Sequence, residues 1–193
     1  MDKSDIIISA EQQFAREVSL GVIYLRPRSL WYNLIRGMFL IDFLRRGSTT
    51  RKFTEMFMFP RQLAMQAAGS FSVDNSKDSM ATFIETEIRN WLTNHQLDSR
   101  DSVKAQKGIV DILIDHYVRL LQAEGESYYD LIQHAYLTRE KFESHLHDLT
   151  NAEYIMDQAI LAKAGDEPAV KEKLQLEAQQ VQNRRQKILE DIY

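Results

Sequence analysis

Apolar residues recur along this chain at intervals of three and four, the period that places side chains on one face of an α-helix. Met80, Phe83, Ile84, Ile88, Trp91 and Leu92 make one such stripe, with Glu85, Glu87, Arg89 and Asn90 on the other faces. LDSRDS then offers caps for a helix whose broad apolar face is Ile109, Val110, Ile112, Leu113, Tyr117, Leu120 and Leu121, closed before Gly125. SYYDLIQHAY predicts a short helix, TREKF through AKAG a long one, and Pro168 opens a last helix reaching Tyr193. The pattern predicts an all-α protein, a multi-helix bundle of about six to eight helices with a long C-terminal helical hairpin.

Nearer the N-terminus the punctuation is sharper. Ser9, Ala10, Glu11 and Gln12 read as a capping box, which starts the first helix at Ser9 and runs it to about Leu25, ahead of Pro27. A second helix is expected over 29–46, stopped by Gly47, and a third from about Thr49 to Ala68, kinked or split at Pro60. The stretch GSFSVDNSKD, residues 69–78, reads as a linker between an N-terminal basic, aromatic-rich segment (1–68) and an acidic helical bundle (79–193), unless 1–193 is one domain. In the last helix Leu174, Val181 and Ile188 repeat every seven residues, while Glu177 and Arg184 interrupt the seam. A strong coiled coil would not tolerate them, so a thin antiparallel packing seam is expected.

Charge changes this picture at one place. The chain carries a net −4. Yet between residues 26 and 61 eight Lys and Arg face only Asp42 and Glu55, a local +6. Within it, eleven of the fifteen residues from Leu30 to Leu44 are apolar, too wide a surface for one-sided burial. The segment is either a central helix of the bundle or a docking element for a protein partner, for a second copy of the chain or for an anionic membrane surface. Arg28, Trp31, Tyr32, Phe39, Phe43, Arg45, Arg46, Arg51 and Lys52 are its candidate contact residues. Phe53, Met56, Phe57, Met58 and Phe59 extend the same character, and methionine-rich surface suits a partner groove. Arg36 and Asp42 break the stretch as a membrane span. Nucleic acid is not expected as a partner, given the acidic total and the lack of a recognition motif.

Enzyme templates find little support. There is no cysteine, no glycine-rich phosphate loop, and no H-E-x-x-H or E-x-x-H pattern among the five histidines. Neither cofactor nor metal is expected, and no small-molecule substrate is identified. The N-terminus lacks the pattern of a secretion signal, and the expected location is cytoplasmic, with the inner face of a membrane as a possible station.

One short stretch carries chemistry. His147, Asp148, Leu149, Thr150 and Asn151, HDLTN, resemble the H-box in the dimerisation and histidine-phosphotransfer hairpin of sensor histidine kinases. The resemblance covers about 138–193 and implies a phosphoacceptor role for His147, a base in Asp148 and support of dephosphorylation by Asn151. Ala152 stands where many members have proline, and no ATP-binding domain follows. Phe142, Leu146, Leu149, Met156 and Ile160 form the apolar stripe of this helix, which leaves His147 off it and accessible.

Overall fold

The computed structural model describes residues 2–25, 49–71 and 77–193. Seven helices account for them: α1 (Lys3–Leu25), α2 (Thr49–Phe71), α3 (Lys77–Asn94), α4 (Arg100–Gln122), α5 (Tyr128–Tyr136), α6 (Arg139–Lys163) and α7 (Pro168–Ile192). No strand occurs among the described residues, so the chain is an all-α multi-helix bundle. The helix expected over 29–46 lies outside the described residues.

Helix α4 is the centre. It packs most extensively on α6 and α2, and also meets α3 and α5. Ser99 caps it by accepting from the backbone N–H of Ser102 at 3.0 Å, and Val110, Leu113, Tyr117 and Leu120 are completely enclosed. Burial of each such aliphatic side chain stabilises the fold by roughly 1.5–3 kcal/mol, which is why this face organises the rest. One continuous apolar cluster runs from Ile7 on α1 to Leu189 on α7 and takes in Leu63 and Ala64 of α2. The residues on either side of 69–78 therefore share a core.

Several boundaries differ from the sequence reading. The first helix begins at Lys3, six residues before Ser9, because Ile7 is fully buried and Lys3 Nζ donates to the carbonyls of Leu121 (3.1 Å) and Ala123 (2.7 Å) at the end of α4. Tertiary contacts thus extend the helix past its apparent cap. Helix α2 continues through Pro60 as one element. The proline removes one intrahelical N–H bond, but burial of the ring and the Arg61 side chain's bond to the Phe57 carbonyl (3.0 Å) hold the turn together. The expected linker is shortened at both ends, since α2 reaches Phe71 and α3 starts at Lys77.

The C-terminal hairpin is present, with Ala164 to Glu167 turning α6 into α7. Of the seven-residue repeat, Val181 and Ile188 are buried and Leu174 is half-buried, and Val170 beside it is buried. The two interrupting charges have partners: Glu177 meets Lys173 at 3.3 Å, and Arg184 reaches Glu17 of α1 at 2.7 Å. The seam is thin on the α6 side because α7 also lies against α1.

Candidate functional site

Five helices contribute one side chain or more to a buried charged network. Arg61 of α2, 3% exposed, donates through Nε to Glu11 of α1 at 2.9 Å and through Nη2 to Glu153 of α6 at 3.3 Å. Glu153 is also clasped by both Nη atoms of Arg185 on α7, each at 2.8 Å, and Arg185 Nη1 reaches Thr150 Oγ1 at 2.8 Å. Tyr117 of α4 donates to the other oxygen of Glu11 at 3.0 Å. The Arg61 guanidinium also lies 3.3 Å over the Phe57 ring. Burial alone would raise the Glu153 carboxyl, but Arg185 and Arg61 outweigh it and hold it below the ordinary range. The network is two cations on two carboxylates, fully hydrogen-bonded, and it fastens α1, α2, α4, α6 and α7 to one another.

That arrangement redraws the cationic segment. Arg61 belongs to the interior, as do the aromatics before it: Phe53 stacks on Phe57 (5.6 Å), Phe57 on Phe14 (5.3 Å) and Phe59 on Trp91 (4.5 Å), and Met58 is buried. The run from Phe53 to Phe59 packs against the core, with Met58 buried and Phe53, Met56, Phe57 and Phe59 half-buried. Arg51 is exposed, and Lys52 lies in the first turn of α2. Arg28, Trp31, Tyr32, Phe39, Phe43, Arg45 and Arg46 lie outside the described residues. Among the described residues no helix is long and apolar enough to cross a membrane.

On α6 the three residues of the phosphotransfer resemblance share one exposed patch. His147 Nδ1 is 3.8 Å from Asp148 Oδ1, and the Asn151 side-chain nitrogen is 3.2 Å from the same ring atom. Their accessibility follows from the stripe read in the sequence, for Phe142, Leu149 and Met156 are buried with Leu146 and Ile160 half-buried. His145, two residues earlier, faces inward. It stacks on His116 at 4.4 Å, beside Phe142 and Tyr136, whose hydroxyl is 2.7 Å from His116 Nδ1. Burial, with Arg185 and Arg119 nearby, pushes His145 down to about 4, and burial beside His145 drives His116 well below its ordinary value. Among the described residues no group of His, Asp and Glu is placed to hold a metal ion.

Beside the charged network, a cleft of about 400 Å³ opens between α2, α6 and α7, with Trp91 of α3 and Ile109 of α4 in its wall. Phe57, Tyr154, Leu174 and Val181 give it an apolar surface. Its charged groups are Arg61, Arg185 and Lys173 against Glu153, Glu177 and Asp157. Asp157 differs from the other five in making no hydrogen bond or ion pair among the described residues. Burial first, then the charges of Glu153 and Glu177, push its carboxyl up to about 7, and Lys173 opposes them only in part. An acid poised there, in an apolar recess, is the kind of group that functional sites collect.

The sequence reading missed Asp157 and the network. For the network a signal existed: Glu153 follows the buried Leu149 by four residues and Arg185 follows the buried Val181 by four, so both are charges on an apolar stripe. Asp157 follows Glu153 by four on the same helix, but its setting also needs Glu177 and Lys173 of α7, which the local pattern does not bring near. No protein-family model, no curated protein and no solved structure matches the chain.

Proposed function

We propose that the protein is a non-catalytic helical interaction protein, docked onto an anionic membrane surface by its cationic aromatic segment, with the bundle as the part presented to the surroundings. The observation that carries the reading is the partition of that segment at Phe53. From Phe53 onward its aromatics and Arg61 serve the core. Residues 26–52 keep seven basic side chains against Asp42 alone, a net +6 attached to an acidic remainder, together with Trp31, Tyr32, Phe39 and Phe43. Aromatics at headgroup depth flanked by arginines suit anionic lipid, each basic group adding about 1 kcal/mol near such a surface. Flotation with neutral and anionic vesicles at low and high salt tests it, beside a variant carrying Arg45→Gln and Arg46→Gln. Binding that needs anionic lipid, weakens with salt and is lost in the variant is expected. Absence of flotation under every condition sinks the membrane reading and turns the search to a protein partner or a second copy.

A second reading is favoured by one observation, the convergence of Asp148 and Asn151 on exposed His147. In it the chain is a phosphorelay intermediate, with a His147 ring nitrogen taking a phosphoryl group from a donor and Asp148 receiving the ring proton. The reading requires an acid-labile phosphoryl adduct that His147→Gln abolishes without altering the circular dichroism spectrum. An adduct that survives the substitution eliminates it.

A further inference from the structure

We propose that the cleft between α2, α6 and α7 is a binding site for a small organic amine, whose apolar body lies between Phe57, Trp91 and Tyr154 and whose ammonium group pairs with the carboxylate of Asp157. Three observations converge on that chemistry.

The first is size and surface. About 400 Å³ with mainly aromatic and aliphatic walls is within the range of small-molecule sites, which combine an apolar lining with a few polar groups. The second is charge accounting inside the cleft. Arg61 is held by Glu11 and Glu153, Arg185 by Glu153 and Thr150, and Lys173 by Glu177. Every cation there has its counter-charge, so an anionic guest would have to break an existing pair. Asp157 is the carboxylate left over, and a cationic guest completes it at no such cost.

The third is the state of Asp157. Glu153 on its own helix and Glu177 on α7 repel its negative charge, Lys173 on α7 offsets them in part, and Arg61 of α2 and Arg185 of α7 spend their charge on Glu153. The α4 and α3 wall supplies Gln106, Ile109 and Trp91, none of them charged. An ammonium group beside Asp157 would relieve the repulsion, favour the ionised form and release a proton near neutral pH.

Calorimetric titration of the full chain with 4-phenylbutylamine, 4-phenylbutanol and 4-phenylbutyrate separates charge from apolar contact. The amine is expected to bind at pH 8 at least about tenfold more tightly than the alcohol, and the carboxylate not at all. Between pH 8 and pH 6 amine affinity should fall about tenfold, because the ionised fraction of a group titrating at about 7 drops by that factor, while the alcohol is unaffected. Asp157→Asn should bring the amine to the level of the alcohol and remove its pH dependence. Ala178→Leu, which narrows the cleft from α7, should weaken amine and alcohol together. Equal affinities for amine and alcohol, full amine binding by Asp157→Asn, or no amine binding by the folded protein at pH 8 would each overturn the proposal.

Discussion

Asp157 and His145 are both forced by burial toward their neutral forms, and they bias stability in opposite directions along the pH axis. The folded value of Asp157, about 7, lies above that of an unfolded aspartate near 3.9, so stability falls as pH rises between the two. Asp157→Asn should therefore melt higher than the parent at pH 8, by on the order of 1–3 kcal/mol, with the gap narrowing toward pH 5 in thermal scans. His145 works the other way. Its folded value, about 4, lies below the unfolded 6.5, so the stability it contributes is present above pH 6.5 and drains away as pH falls toward 4. His145→Phe should flatten that acid limb, and a variant with an unchanged limb would show that the imidazole is not buried neutral. A third residue is strained through its backbone: Leu137 ends α5 at φ +63° with its side chain 69% exposed. Leu137→Gly should stabilise by about 0.5–1 kcal/mol, read as a raised melting temperature. At this scale the sequence was informative about exposure and silent about titration. His147, Asp148 and Asn151 could be placed on an open face from the spacing of Phe142, Leu149 and Met156, whereas the carboxyl of Asp157 depends on burial and on Glu177, twenty positions away along the chain, as well as on Glu153.

Among elements, α2 carries the most consequential joint. Arg61 stands between two carboxylates from α1 and α6, so Arg61→Met leaves Glu11 and Glu153 short of a cation in a closed interior. Removing one partner of a buried pair costs about 3–5 kcal/mol, and urea unfolding should register a loss of that size. Adding Glu11→Gln should return part of it. Full recovery is not expected, since Tyr117 donates to the same glutamate. The helices themselves were legible where an apolar stripe and caps agreed, as in α4 between Ser99 and Gln122. They were misjudged where a long-range contact overrode a local cue. Lys3 binding to the end of α4 draws α1 past Ser9, and the burial of Pro60 carries α2 through a residue that ordinarily breaks helices.

For the whole molecule the shared apolar cluster matters most. The sequence offered a divide at 69–78, where glycine, serine and charge gather, or one domain over 1–193, and composition does not reveal that Leu63 and Ala64 pack into the same core as Val110 and Tyr117. Unfolding should accordingly be a single cooperative event, with far-ultraviolet and near-ultraviolet circular dichroism transitions coinciding in urea. Two separated transitions would restore the two-part description. The stack of Phe59, Trp91 and His95, with ring centroids 4.5 and 4.1 Å apart, adds a consequence of another kind. A histidine ring stacked on an indole quenches its emission, so the light from Trp91 is a built-in optical gauge of this contact. In a Trp31→Phe background that light comes from Trp91 alone. It should brighten when His95 is replaced by Gln, and its colour should shift when a guest displaces water from the wall that Trp91 shares with Phe57.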